Sequence, residues 1–213
     1  MTDGFERVQL PTPMFPLGTV LFPYGALPLH VFEARYRAMV SDALARDRRI
    51  CMVQLRPGYE ANYAGKPDVE AVGGLGEIVS CERQATGRYD LALRGVARVR
   101  ILREQPSDTL YRVVVVQPID DVPPVVDPAP LVDRVRATCR TLLGILGRPT
   151  DFLDAALAEG QDPGVIADRI ASGVLPGAAV RQELLETAEV DLRLNRLVLA
   201  LDALVDELRR GRA

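Results

Sequence analysis

The chain has 213 residues, of which 48% are hydrophobic and 26% are charged, and its formal net charge is −3. This balance is typical of a globular protein that buries a core, and it excludes a disordered chain. One lysine, one histidine and three widely separated cysteines argue against a disulfide framework and leave few residues for metal or nucleophilic chemistry.

The apolar runs of the chain are short. Residues 113–116 and 197–201 are among the longest, and both fall far below the roughly 20 residues that a membrane span requires. Residues 1–7 contain no apolar core of a secretion signal. These features predict a soluble, cytoplasmic protein without a membrane partner.

Residues 1–122 are predicted to form a β-rich part. Apolar and β-branched runs between Gly, Pro and Asp turns predict strands at 27–31, 72–81, 89–93, 96–102 and 111–117. One helix follows the first strand, because apolar residues recur on a single helical face at Phe32, Tyr36, Met39, Val40, Ala43 and Leu44. The glycines at 73, 74 and 76 lack the ending of a phosphate-binding loop and predict a bend or a close backbone approach in a small barrel.

Residues 131–213 are predicted to form a helical bundle after a proline-rich connector at 123–130. Helix starts are predicted at Thr150 or Asp151, for a helix through Ala158, and at Asp162 before Pro163. The last helix carries a seam of heptad-like spacing at Val190, Leu194, Leu197, Leu201, Leu204 and Leu208. The apolar stripe is wider than this seam, which favours a helix at the centre of the bundle, and a homodimer through the seam is the alternative.

The charge distribution speaks against a nucleic-acid partner. Residues 1–122 hold 15 acidic and 15 basic side chains, and residues 123–213 hold 14 and 11, whereas a nucleic-acid module normally shows a basic excess. The one local cluster, formed by Arg94, Arg98, Arg100 and Arg103, is predicted to be the solvated face of a half-buried strand.

Few residues could carry a reaction. Lys66 lies in a turn-rich loop where nothing predicts a lowered pKa, and His30, between apolar neighbours in a strand-like segment, is interpreted as structural. No His, Cys or Asp cluster has the spacing of metal ligands. We therefore predict no catalytic residue, no metal and no cofactor. A hydrolase that pairs a cysteine with His30 is the least favoured alternative.

Several motifs together resemble the Lon protease N-terminal, substrate-binding domain family. Residues 14–40 are similar to the family's opening, which typically reads FPL…VLFPG…LPL.IFE.RY..MV. Residues 72–78 and 87–101 are similar to its VGT.A.I strand and its GR..I.L.G..R.RI hairpin, and the similarity continues into the helices. Two departures are Arg181, where a lysine is usual, and Tyr24, where glycine or histidine is common. The chain contains neither a nucleotide-binding loop nor a peptidase motif.

The resemblance implies an α+β fold, with a small bent β-sheet or pseudo-barrel of PUA-like type and one helix, followed by a helical bundle. It implies a non-catalytic module that binds exposed or unfolded protein segments, including as an adaptor to a separate protease or chaperone. Phe32, Glu33, Arg35 and Tyr36 are the implied peptide-binding residues. The alternative is that Glu33 and Arg35 are only solvated and that Phe32 and Tyr36 belong to the core. RNA binding, which is common among PUA-like folds, is the other functional alternative.

Overall fold

The structure is a computed structural model that describes residues 11–151, 153, 157–158 and 160–211. The chain divides into two compact units, Met1–Ile119 and Asp120–Ala213. The helix predicted to start at Thr150 or Asp151 and to run through Ala158 lies largely outside the described residues. No helix in the described part of the chain is long and apolar enough to span a bilayer.

The first unit, called the barrel unit below, contains six strands and one α-helix within its described residues, 11–119. The strands are β1 Pro11–Leu17, β2 Ala26–Val31, β3 Arg49–Gln54, β4 Val72–Arg83, β5 Tyr89–Gln105 and β6 Val113–Pro118. Helix α1, Ala34–Leu44, follows β2 as predicted, and a 3₁₀ turn lies at Tyr59–Asn62. The predicted apolar face of α1 is buried at Tyr36, Met39, Val40 and Ala43. Phe32 was expected on that face but precedes the helix and is 60% exposed.

Strand β5 closes the sheet on itself. It pairs with β4 through residues 89–100, with β2 through residues 89–94 and with β6 through residues 99–105. Since β6 also pairs with β1, and β3 joins β1 to β4, five strands form a closed ring to which β2 is added. Irregular pairing at two points of the β4–β5 ladder and one of the β5–β6 ladder allows the sharp bending that closure needs. The bent sheet expected from the sequence is thus confirmed, although 89–93 and 96–102 form one strand rather than two.

The glycines of β4 and β5 leave room for the close approach of another backbone segment. A Cβ atom on Gly74 would overlap the carbonyl oxygen of Leu21, and one on Gly95 would overlap that of Phe22. The segment between β1 and β2 therefore lies directly on these strands, with Leu21 and Phe22 fully buried. This confirms the close backbone approach predicted at the glycine cluster.

The second unit, called the helical unit below, contains helices α2 Ala129–Leu146, α3 Pro163–Val174, α4 Ala178–Glu186 and α5 Val190–Arg210. Asp162 caps α3 as predicted, since its carboxylate accepts the backbone N–H groups of Gly164 and Val165 at 2.7 and 3.2 Å. Helix α5 packs against α2, α3 and α4. The seam residues Val190, Leu194, Leu197 and Leu201 are buried inside the unit. Leu204 and Leu208 are half-buried, so the first four seam residues serve the bundle, and a homodimer through the seam stays a prediction.

A buried ionic cluster ties the start of the helical unit to α5. Arg193 is 1% exposed and donates to Asp121 at 2.9 Å and to the carbonyl oxygen of Thr187 at 3.1 Å. Its Nε atom lies 3.5 Å from the carboxylate of Asp168, which is 2% exposed. Val122, next to Asp121, forms a backbone bridge with Glu189 just before α5. The charge cluster thus joins three segments that are distant in sequence.

Candidate functional site

Strand β2 presents a row of exposed side chains on its outer face. Every second residue from 24 to 32 is exposed, and the residues between them are buried or half-buried. The exposed row, called the aromatic stripe below, consists of Tyr24, Ala26, Pro28, His30 and Phe32. The opposite face contributes Leu27, Leu29 and Val31 to the main core of the barrel unit. Ala26, Pro28 and His30 therefore form the solvent face of β2, whose other face is fixed by the core, while Tyr24 in the preceding turn and Phe32 just after β2 flank that face.

Tyr24 adopts a backbone conformation that favours glycine. Its φ angle is 62°, and its N–H donates to the carbonyl oxygen of Gly95 at 2.9 Å. A left-handed conformation costs a non-glycine residue about 1–2 kcal/mol. The fold nevertheless holds a tyrosine there, and its side chain is 55% exposed. Tyr24 thus combines an exposed aromatic side chain with a strained backbone conformation.

Polar groups border the stripe along β5 and β4. His30 and Asp90 are hydrogen-bonded at 2.6 Å, and the His30 ring stacks on Phe32 with 6.2 Å between the ring centres. Hydrogen bonds from His30 and then from Gln84 lower the pKa of the Asp90 carboxyl. These contacts hold the His30 ring beside that of Phe32, with an angle of 28° between the two ring planes.

The outer edge of β2 is interrupted by a proline. Among the described residues, β2 pairs only with β5. The carbonyl oxygen of Gly25 accepts the N–H of Gly95. Because successive residues of an antiparallel strand direct their backbone polar groups to opposite sides, those of Ala26, Pro28 and His30 point away from β5. Proline has no N–H, and the middle of the free edge therefore lacks a donor. Continuous strand pairing of a ligand along β2 is disfavoured.

A cleft of about 580 Å³ opens on another part of the barrel unit. Met14, Pro16 and Tyr36 give it an apolar and aromatic lining. Its charged lining comes from Arg35, Lys66, Glu104 and Arg112, which belong to α1, the 63–67 loop, the end of β5 and the residue before β6. Four segments that are distant in sequence thus line this pocket, which is called the cleft below.

Arg35 is held rigidly at the cleft. Its guanidinium lies 4.6 Å from the ring centre of Tyr36 and 5.0 Å from that of Tyr63. It donates to Glu33 at 3.0 Å and to the carbonyl oxygen of Tyr63 at 3.2 Å, while the Tyr63 hydroxyl donates to Glu33 at 2.6 Å. Burial raises the pKa of Tyr36 to about 12, so its hydroxyl is protonated at neutral pH. Arg35 is therefore a preorganised cation between two aromatic rings.

Glu104 joins the two other cations of the cleft. It accepts two hydrogen bonds from Arg112, at 3.0 and 3.2 Å, and one from Lys66 at 3.1 Å. Burial raises the pKa of the Glu104 carboxyl, but the hydrogen bonds from Arg112 and Lys66 outweigh burial and hold it below the ordinary value of 4.5. Glu104 is thus ionised at neutral pH.

The lowered pKa of Glu104 predicts a pH dependence. A carboxylate whose pKa is lower in the folded state stabilises the fold above its ordinary pKa and loses that effect as the pH falls through the lowered value. We expect Glu104→Gln to be less stable than the parent at neutral pH, with the difference shrinking as the pH drops below 4.5. Thermal melts of both proteins between neutral pH and roughly pH 3 measure this. A difference that stays constant over the whole range would contradict the assignment.

The four peptide-binding residues expected from the sequence lie in one short segment with different environments. Phe32 ends the aromatic stripe and is exposed, which contradicts the alternative that it belongs to the core. Tyr36 is 5% exposed and belongs to the core, with an edge on the cleft. Glu33 and Arg35 are half-buried and bonded to each other rather than simply solvated. Tyr24 at the stripe and Lys66, Glu104 and Arg112 at the cleft were not identified from the sequence as binding residues.

The arginine cluster does not form one solvated face. Arg98 is 2% exposed, against the prediction, because β5 passes there from its pairing with β2 to its pairing with β6 and both Arg98 and Val99 are covered. Arg94 is paired with Glu77 at 2.7 Å. The four arginines thus do not share one exposed surface.

The chemistry of the thiols opposes a cysteine nucleophile. Burial raises the pKa of Cys51 and that of Cys139 to about 12, and it also raises the pKa of Cys81. A thiol with a raised pKa supplies little thiolate at neutral pH. No group of three or more potential metal-ligating side chains occurs among the residues that the structure describes.

Comparisons with known proteins identify the family to which this sequence is similar. The model of the ATP-dependent protease La (LON) substrate-binding domain matches residues 11–203. The chain is 31% identical over 199 residues to Lon protease 2 of Bdellovibrio bacteriovorus, with 90% of the chain and 24% of that protein covered. It is 23% identical over 207 residues to Lon protease of Desulfosudis oleivorans, with 97% and 25% covered. The chain thus spans about a quarter of the length of these relatives.

Solved structures show the same fold. The N-terminal domain of Mycobacterium avium complex Lon protease gives a TM-score of 0.67 at 19% identity, with 91% of this chain and 98% of that chain covered. A Lon N-terminal domain protein from Xanthomonas campestris gives a TM-score of 0.63 at 24% identity, with 89% and 98% covered. The α+β architecture of the described residues is therefore that of Lon N-terminal domains.

Proposed function

The chain belongs to the Lon substrate-binding domain family, and from this premise we propose that it is a non-catalytic module that binds exposed segments of unfolded or partly folded polypeptides. The observation that carries the proposal is the aromatic stripe, where Tyr24 and Phe32 are 55% and 60% exposed at the two ends of β2, a strand fixed by the core. Large apolar side chains held in solvent by a rigid scaffold are typical of interaction surfaces.

The binding mode follows from the shape of the stripe. An extended segment lies over the outer face of β2, and its apolar side chains cover Tyr24, Pro28 and Phe32. Burial of side chains supplies most of the free energy, because Pro28 prevents continuous strand pairing at the edge. A transient site of this kind is expected to bind with micromolar affinity, corresponding to about −8 kcal/mol.

The segment from Phe32 to Tyr36 links the stripe to the cleft along the chain. Phe32 contributes apolar contact area at the end of the stripe, and Glu33 holds Arg35 in place through their 3.0 Å hydrogen bond. Arg35 and Tyr36 line the cleft and orient the part of the polypeptide that reaches it. We further propose that the bound polypeptide is passed to a separate protease or chaperone, so that this chain acts as an adaptor.

Binding is tested with a separate model protein as the ligand. It is offered once in its native state and once unfolded by reduction of its disulfides and alkylation with a neutral reagent. We expect micromolar binding of the unfolded form only. Phe32→Ala is expected to weaken it about tenfold, the size of an ordinary hot-spot truncation. Leu199→Ala is the matched control, because Leu199 is 68% exposed but lies in the helical unit. Equal binding of native and unfolded protein, or equal losses for both variants, would contradict the proposal.

Tyr24→Gly separates binding from stability. Glycine adopts the φ angle of 62° without strain, so we expect the variant to gain up to about 1 kcal/mol in free energy of unfolding. The same substitution removes an aromatic side chain of the stripe, and binding of the unfolded protein should weaken. Thermal melts and titrations on one sample measure both effects. A variant that is both more stable and fully active in binding would show that Tyr24 does not contact the polypeptide.

A further inference from the structure

The cleft carries an excess of positive charge. Arg35, Lys66 and Arg112 line it, and Glu104 is the one carboxylate among the lining residues that the structure describes. Glu33, which is bonded to Arg35 beside the cleft, provides a second carboxylate. Three cations and two anions leave one uncompensated positive charge at a partly enclosed surface, where charge interactions are stronger than in open solvent.

Two of these cations retain unused donors. Nη1 of Arg35 has no hydrogen-bond partner among the described residues, since Nε and Nη2 make the bonds to Glu33 and Tyr63. Lys66 is 75% exposed and makes one hydrogen bond, to Glu104, although an ammonium group has three donors. Arg112 is engaged with Glu104 and with the carbonyl oxygen of Pro67. The unused hydrogen-bond donors thus belong to Arg35 and Lys66.

The rest of the lining suits a short piece of polypeptide. Met14, Pro16 and Tyr36 provide apolar and aromatic surface next to the charged groups. A volume of about 580 Å³ falls in the range of pockets that enclose a small ligand. An apolar lining with one net positive charge complements an apolar group that carries a single negative charge.

We propose that the cleft binds a carboxylate of the polypeptide held on the aromatic stripe, either its free C-terminus or an acidic side chain. This inference rests on the proposed function and adds a chemical preference to it. Arg35, fixed between Tyr36 and Tyr63, orients the carboxylate, and Lys66 adds a mobile second cation. Polypeptides with an accessible carboxylate next to apolar residues are therefore preferred over neutral ones of equal hydrophobicity.

The test uses one apolar peptide, labelled with a fluorophore at its N-terminus, in three forms. The first has a free C-terminus, the second a C-terminal amide, and the third a C-terminal amide with an internal aspartate in place of asparagine. Fluorescence anisotropy with the full chain is expected to show about tenfold tighter binding of one or both carboxylate forms, as for a charge-assisted hydrogen bond. The preferred form distinguishes a terminal from a side-chain carboxylate, and the preference should fall as salt is raised.

Variants assign the preference to the cleft. Lys66→Gln, in an exposed side chain, and Arg35→Gln are expected to reduce the difference between carboxylate and amide forms without abolishing binding of the amide form. Arg140→Gln removes one exposed positive charge from the helical unit and should leave the difference unchanged. Because Lys66 is the only lysine, its acylation by an amine reagent, followed by mass spectrometry, should be slowed by a carboxylate peptide and not by the amide.

The outcomes separate the two proposals. Equal affinities for carboxylate and amide forms, with both weakened by Phe32→Ala, would overturn the carboxylate inference and leave polypeptide binding in place. A preference that survives in both cleft variants would place the carboxylate elsewhere and also overturn it. Absence of binding by every peptide and by the unfolded protein would overturn the proposed function itself.

Discussion

Replacing Arg193 with alanine is expected to lower the free energy of unfolding of the helical unit by about 3–5 kcal/mol, the usual cost of breaking a buried ion pair. Arg193 is 1% exposed and contacts two carboxylates, of which Asp168 is 2% exposed. Its removal leaves Asp168 buried without this cation and leaves a cavity as large as the side chain. Chemical denaturation of the full chain, followed by helical circular dichroism, measures the loss.

A second substitution separates the charge effect from the cavity effect. Arg193→Leu retains much of the volume and should still be strongly destabilised, because Asp168 stays buried without this cation. The double variant Arg193→Leu/Asp168→Leu removes both buried charges and should recover most of the loss. If the double variant is less stable than Arg193→Leu alone, the buried charge is not the source of the cost, and other contacts of Asp168 dominate.

Gly74→Ala is expected to destabilise the barrel unit by about 3 kcal/mol, near the upper end of the range for overpacking a core. The new methyl group would overlap the carbonyl oxygen of Leu21, which is backbone and cannot rotate away. The segment carrying Leu21 and Phe22 would have to leave the sheet, and both residues are fully buried now. Thermal unfolding monitored by tyrosine absorbance, which reports on Tyr36 and Tyr89 of the core, measures the change.

Gly18→Ala is the matched control, because a Cβ atom on Gly18 meets nothing within 4 Å and its φ angle is not in the left-handed region. It lies in the same unit and should change the free energy of unfolding by less than about 0.5 kcal/mol. If Gly74→Ala and Gly18→Ala are equally tolerated, the close packing of the 20–23 segment on β4 is wrong.

The periodic features of the sequence predicted the local structure well. The α1 residues Tyr36, Met39, Val40 and Ala43 and the α5 seam from Val190 to Leu201 follow the helical repeat and are buried where it places them, whereas Phe32 is exposed. The close approach at Gly74 could be predicted because glycine inside a strand pattern often marks a bend or a point where another backbone comes near. Burial on one face of a regular element is a local property, and a single sequence contains that information.

Properties that depend on closure of the sheet were not predicted. Arg98 alternates with apolar residues, a pattern that predicts a solvated strand residue. It is buried instead, at the point where β5 passes from its pairing with β2 to its pairing with β6, and β6 is remote from β2 in sequence. The cleft was missed for the same reason, since Lys66, Glu104 and Arg112 meet only because the ends of β5 and β6 face the 63–67 loop. Tyr24 did leave a signal, because an aromatic residue replaced the glycine or histidine that is common there.

Pro28 has a consequence for the resistance of this protein to aggregation at high concentration. A strand that is flanked by the exposed Tyr24 and Phe32, and whose edge is unpaired among the described residues, is a natural template for fibril growth, in which copies add edge to edge through their N–H rows. The proline leaves a gap in that row at the centre of the strand, where an incoming copy would find no donor. Under the proposed function, the stripe thus attracts side chains of unfolded proteins and still resists seeding their aggregation or its own.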